Sequence, residues 1–366
     1  MHIPYKENFE LLGRNLKPIV LFEIIFALLT AVIVTPILVG LFHLSITLSG
    51  VGYVGNDNII SYLLHPTTIL LVIIIIFGIA LISVLNIISV IQAIDASHFD
   101  RDITVGQMFR DGFANARRVF SKKNWFIVIY TVLIVPLTGF VSVAGYAGTI
   151  QIPEFILDFI KNNTLLSIAA GILAVVLVVL ALKWALCYQA FVFESEDFGQ
   201  ARAESSRLTK GHGASIFFDV IIWEFFLGLL LALISVIVAT ITVLITKMIW
   251  SGAQAYSASV TAVFVVGVTM STLYGIFSVP LVFVHLSELF YRYKKEQGET
   301  LVYEEPKPFP VKGWVKTTFY VVIFALVAIN AAGFIATNKG YISLRQDVTK
   351  LPQVSAHRGD SASAPE

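Results

Sequence analysis

The last ten residues, His357-Arg358-Gly359-Asp360-Ser361-Ala362-Ser363-Ala364-Pro365-Glu366, bring three complementary side chains together. An imidazole exchanges a proton near neutral pH, an arginine forks onto phosphate oxygens, and a carboxylate suits a hard divalent cation. His357, Arg358 and Glu366 therefore point to phosphate-ester chemistry. Gln353 to Ala356 read as a short strand leading into them, with a turn at Gly359 and a small-residue loop behind it. A second set of ionisable groups, Glu23, Lys183, Glu224, His285 and Glu288, sits inside long apolar runs. Charges at such depth face a bundle interior and pair, and they are candidates for function by default. One cysteine, Cys187, excludes an intrachain disulfide and a cysteine-based metal cage.

The elements that position these groups are set by composition. The 366 residues are 57% hydrophobic and 13% charged. Counting glycine in place of tyrosine raises the apolar share to about 60%, against roughly 45–50% in soluble domains. The excess falls in nearly uncharged runs long enough to cross a bilayer as helix. Seven spans are expected: Pro18 to Leu44, Thr67 to Ile94, Trp125 to Tyr146, Leu165 to Phe193, Ile216 to Ile245, Ala258 to Phe290 and Val315 to Thr337. The fold expected is an all-α polytopic membrane protein, with the lipid bilayer as its first partner. A net charge of +1 argues against a nucleic-acid partner. The first apolar run far exceeds the 7–15 residues of a signal-peptide core, so it reads as a retained anchor.

Basic residues alternate between the spans. Lys6, Arg14 and Lys17 precede the first, and Arg101, Arg110, Arg117, Arg118, Lys122 and Lys123 follow the second. Arg202, Arg207 and Lys210 follow the fourth, and Arg292, Lys294, Lys295, Lys307 and Lys312 follow the sixth. The intervening loops hold at most one cation, Lys161. Cationic loops resist translocation, so the N-terminus is expected in the cytoplasm and the tail after Thr337 outside, in a multi-pass protein of the plasma membrane.

From Thr104, apolar Val105, Met108, Phe109, Phe113, Ala116 and Val119 recur at helical spacing, as in an interfacial amphipathic helix, and Thr104 with Gln107 fits a capping box. A basic surface loop meeting anionic lipid heads is the plainer reading. Asp197-Phe198-Gly199-Gln200 echoes Thr104-Val105-Gly106-Gln107, a four-residue hint of duplication. Gly50-Val51-Gly52-Tyr53-Val54-Gly55 spells a dinucleotide fingerprint but follows a membrane helix and opens no βαβ unit, so nucleotide binding is not expected there. Asn162-Asn163-Thr164 is a glycosylation sequon only in a source that glycosylates.

At 1.5 Å per residue, Glu224 lies roughly 12 Å and Lys183 roughly 16 Å from the cytoplasmic ends of their spans. Lys183 is expected to pair with Glu224 or Glu23, while His285 and Glu288 snorkel inward. The competing expectation is a polar cavity that handles lipid or solute.

The run His357-Arg358-Gly359 followed by Pro365-Glu366 resembles the opening motif of glycerophosphodiester phosphodiesterases, His-Arg-Gly and then, after a small-residue loop, Pro-Glu-Asn. The multispan region resembles the membrane domain that precedes the catalytic barrel in membrane-bound members. The resemblance implies hydrolysis of glycerophosphodiesters to an alcohol and glycerol phosphate. It also implies a TIM barrel with the motif at the mouth of its first strand. His357 would be one of two catalytic histidines, Arg358 a phosphate contact, and Glu366 a ligand of a divalent metal, Mg²⁺ or Ca²⁺. The domains so implied are a membrane domain over 1–337, an extracytoplasmic linker over 338–352, and the start of the barrel over 353–366. A barrel takes about 250 residues, and the sequence ends before the motif's Asn, the second His and the other metal carboxylates. The expectation is a fragment that neither binds the metal nor turns over substrate alone. The alternative is a transport or lipid-handling module with an incidental tail.

Overall fold

The computed structural model describes residues 5–51, 54, 58–138, 162–194 and 197–301. The chain divides into two compact units, Met1–Leu29 with Leu38–Pro310, and Thr30–Ile37 with Val311–Glu366. Of the second unit only Thr30–Ile37 is described, a π-helical turn at Thr30–Val34 followed by the opening of a helix at Thr35. All other geometry below belongs to the first unit.

Every described element is a helix. In chain order they are α1 (Lys6–Arg14), α2 (Leu16–Leu29), α3 (Thr35–Leu48), α4 (Ile59–Leu64), α5 (Pro66–His98), α6 (Val105–Ala116) and α7 (Phe126–Thr138). Then follow α8 (Thr164–Lys183), α9 (Cys187–Phe193), α10 (Phe198–Leu208), α11 (Gly213–Ile249) and α12 (Gly252–Glu296). Among the described residues, five stretches are long and apolar enough to cross a membrane: Leu16–Leu48, Pro66–His98, Val175–Phe193, Gly213–Ile249 and Gln254–Glu296. Of the expected third span, Phe126–Thr138 forms α7, which is not among these five, and its remainder, like the seventh span and the barrel start, lies outside the described residues.

The expectation for the fourth span needs correction. Leu165 to Phe193 is not one helix, because the chain turns at Trp184–Leu186 between α8 and α9. Hydroxyls replace the interrupted ladder: Ser205 Oγ and Thr209 Oγ1 each donate to the Lys183 carbonyl at 3.1 Å. The other spans run longer than hydropathy alone implies. α12 continues to Glu296 because its last turns, though polar, pack Tyr291, Tyr293 and Lys294 inward.

Local chemistry fixes the helix ends. Pro66 opens α5 at its first turn, where the missing N–H costs nothing. The Thr104–Gln107 capping box forms as expected, the Gln107 amide donating to Thr104 Oγ1 and the Thr104 amide to Gln107 Oε1. The echo at Asp197 has the same role, its Oδ1 accepting from the Gly199 amide at 2.7 Å to start α10. Asn163 of the sequon caps α8, accepting from the Leu166 amide. Of the decoy fingerprint, Gly50 turns the chain at φ 73°, and no strand flanks it among the described residues.

α6 departs from the interfacial helix expected. Its buried face is Met108, Asp111, Gly112 and Ala114, and it packs on α5 and α2 instead of lying free. Gly112 permits the contact, since a Cβ there would stand 1.9 Å from Ser89 Oγ. Phe109 meets Phe22 of α2 with ring centroids 4.6 Å apart. The buried core joins Ile19 and Phe22 of α2, Val84 to Ile94 of α5, Tyr188 and Phe191 of α9 and Phe283 to Phe290 of α12.

Candidate functional site

Of the five ionisable residues singled out within the spans, Glu23, Lys183 and Glu224 take separate places. Glu23 is buried and accepts from Asn86 Nδ2 of α5 at 3.0 Å. Glu224 is buried and accepts from the Tyr274 hydroxyl of α12 at 3.0 Å. Lys183 ends α8 with an exposed side chain, and among the described residues it forms no ion pair with Glu224 or Glu23. The pairing expected from span depth is therefore overturned. Each carboxylate is served by a neutral donor on the neighbouring helix, and the break after Lys183 puts its ammonium at a helix end.

His285 and Glu288 do come together, one turn apart on α12, and they do not merely snorkel. His285 Nδ1 is 3.1 Å from Asn8 Nδ2 of α1, and its ring stacks on Trp223 at 5.5 Å and 24°. Glu288 lies 3.7 Å from Arg292 Nε, Arg292 Nη2 lies 3.6 Å from Asp219 of α11, and Glu7 of α1 faces Glu288 as a like charge. Asn8 is fully buried, and Tyr5 stacks against Trp223 and Phe226. A polar cluster with an aromatic wall thus ties α1 to α11 and α12. Sequence reasoning missed Glu7, Asn8, Asp219 and Trp223. The amphipathic spacing of Tyr5, Asn8 and Leu12 on one face of α1 was the available signal.

The largest charge network among the described residues was missed altogether. Lys294, 3% exposed at the end of α12, stands 2.7 Å from Glu194, 2.6 Å from Glu204 and 2.6 Å from Glu299. Arg207 closes it, 2.5 Å from both Glu204 and Glu299. The Arg207 guanidinium, followed by the Lys294 ammonium, holds the Glu204 carboxyl down to about 2 against the opposing effect of burial. Glu299 is held below its usual value first by Lys294 and then by Arg207. These carboxylates stay ionised and matched to cations, so the network braces α9, α10 and the end of α12 and offers no general acid or base.

Among the described residues no group of three or more His, Cys, Asp or Glu side chains is arranged to hold a metal ion. The metal ligand implied by the tail motif, Glu366, lies outside the described residues with His357 and Arg358. One carboxylate does not make a divalent site, so no metal-dependent step is assigned to these residues.

A family model described as the membrane domain of glycerophosphoryl diester phosphodiesterase matches residues 5–332. The chain belongs to that family. The phosphodiesterase membrane domain so delimited takes in every described helix from α1 to α12, with the polar cluster at His285 and the network at Lys294 inside it. The match stops before the His357-Arg358-Gly359 run. No curated protein and no solved structure matches the chain.

Proposed function

We propose that this membrane domain holds an extracytoplasmic phosphodiesterase at the plasma membrane, where glycerophosphodiesters are hydrolysed to an alcohol and glycerol phosphate. What supports the reading is the order along the chain: the family match over 5–332, then His357, Arg358 and Glu366 at the spacing of the catalytic motif. In this proposal His357 exchanges the proton, Arg358 holds the phosphoryl oxygens, and Glu366 contributes one of several carboxylates around Mg²⁺ or Ca²⁺. A lipid- or solute-handling module is the alternative. Glu23, Glu224 and His285 are each bonded to an adjacent helix, which favours bracing over a pathway.

Two experiments test the proposal. A family barrel joined in frame after Glu366 should give activity that is abolished by a chelator and by His357→Ala. An inactive fusion that folds would overturn the reaction. For orientation, a cysteine at Ser343 should react with an impermeant thiol reagent in intact cells and one at Ser121 should not, and the reverse labelling would place the tail in the cytoplasm.

A further inference from the structure

The segment between α6 and α7 carries a surface that the bracing described above leaves outward. Phe113, Arg117 and Phe120 recur at i, i+4 and i+7 through the end of α6 and the 3₁₀ turn Arg117–Phe120, so they share one face. Phe113 is 46% exposed, Phe120 70% and Trp125, one residue before α7, 57%. Arg117, Lys122 and Lys123 are exposed and interleave with these rings along the chain. Lys123 has one long contact, 4.0 Å to Asp197, at 77% exposure.

Behind this face the segment is fixed. Val119 is buried, and Asn124 Nδ2 donates to the Arg118 carbonyl while Asn124 Oδ1 accepts from the Phe198 amide at 2.8 Å. Arg118 donates to the Phe191 carbonyl and lies over the Phe191 ring at 4.2 Å. Three rings and three cations are thereby held outward on a short braced turn. The segment follows α6, which packs on the span α5, and directly precedes the apolar helix α7, which packs on that same span. Rings at headgroup depth and cations beside them match the layered polarity of a bilayer surface.

We infer that Phe113, Arg117, Phe120, Lys122, Lys123 and Trp125 form a preorganised docking surface for anionic phospholipid headgroups of the adjoining leaflet. The inference rests on the multispan membrane domain alone and is independent of the phosphodiester chemistry. The rings sit among the acyl carbonyls and fix the depth of the turn, and the cations meet the phosphates. Because the turn is already braced, little ordering entropy opposes the contact.

The full chain in detergent is incubated with phosphatidylglycerol, phosphatidylcholine or glycerol 3-phosphate, and retained lipid is read by native mass spectrometry. Phosphatidylglycerol should be retained in preference to phosphatidylcholine. The preference should fall by roughly five-fold per cation in Arg117→Gln, Lys122→Gln and Lys123→Gln. The control Lys210→Gln/Lys295→Gln should leave it unchanged, since no ring within three positions of either exposed cation is itself exposed. In vesicles, brominated phosphatidylglycerol should quench the part of the fluorescence that Trp125→Phe removes, a wild-type readout that does not depend on how the charge variants fold. Equal retention of the two lipids, an unchanged preference in the triple variant, or an absence of quenching at Trp125 would overturn the inference. Equal effects of glycerol 3-phosphate and the lipid would show a free-phosphate site in place of a membrane surface.

Discussion

Replacing Gly112 by alanine tests whether α6 is clamped on α5 or merely lies beside it. The added Cβ would stand 1.9 Å from Ser89 Oγ, 3.1 Å from Ser89 Cβ and 3.5 Å from Leu85 Cδ1. The Oγ can swing aside only by giving up its 2.8 Å bond to the Leu85 carbonyl, and the Cβ contact remains until the helices part by a few tenths of an ångström. Overpacking of this kind costs about 1–3 kcal/mol, and the better helix propensity of alanine returns up to about 1. The expected net loss is roughly 1 kcal/mol. Ser89→Ala removes the worst contact, so Gly112→Ala should cost less in that background, with a coupling of about 1 kcal/mol in a double-mutant cycle. The assay is denaturant or thermal unfolding of all four proteins in one detergent. The reverse expectation holds for Gly106→Ala on the same helix, where nothing lies within 4 Å. If Gly112→Ala were as stable as the parent in both backgrounds, the close approach of the two helices would be refuted.

Lys294→Met should cost about 3 kcal/mol, because it takes the ammonium from Glu194 and leaves Glu204 and Glu299 to share Arg207, whereas Lys247→Met at an exposed position should stay within about 0.5 kcal/mol; unfolding in detergent distinguishes the two. Glu204 is held at about 2, below its ordinary 4.5, so the stability it contributes is present above about 4.5 and is lost as the pH falls from there through about 2. Glu204→Gln should flatten that acid limb of the stability profile, and an unchanged limb would remove Glu204 from the network. Lys183→Met and Glu224→Gln should be additive within about 0.5 kcal/mol, since their side chains are not partners, and a large coupling energy would restore the pairing.

How much of this was legible in the sequence depends on the range of the interaction. Hydropathy located the cores of α2–α3, α5, α11 and α12 because bilayer thickness sets a run length that any long apolar stretch satisfies. The caps at Thr104 and Asp197 were legible, since a cap needs only residues two or three positions away. Lys183 was misread because depth along a span says nothing about azimuth, and no local pattern announced the break at Trp184. Lys294 was taken for one more basic-loop cation, because its partners Glu194, Glu204 and Glu299 come from three separate places in the chain. Glu299 reaches it through a local feature visible only afterwards. Gly298 at φ 75° lets the Glu299 amide return to the Lys294 carbonyl at 3.0 Å and the Gly298 amide to Lys295, a Schellman ending that turns the Glu299 side chain back over the helix. For the tail motif, the family spacing was legible, and the described residues end before it.

Asn15, at the join of α1 and α2, is a knot tied by a later part of the chain. Its amide nitrogen donates to Ser97 Oγ and to the Arg101 carbonyl, both at 2.9 Å, and its oxygen accepts from the Ile103 amide at 3.1 Å. The partners lie 82 to 88 positions downstream. A ribosome adding about 5–20 residues per second delivers them some 4 to 18 seconds after Asn15 itself. Through that interval the buried amide has only water to bond, and α1 has nothing to fasten it beside α5. The N-terminal helix is therefore among the first pieces made and among the later ones secured, its first fastening waiting on the second span and the turn that follows, and its last on α11 and α12.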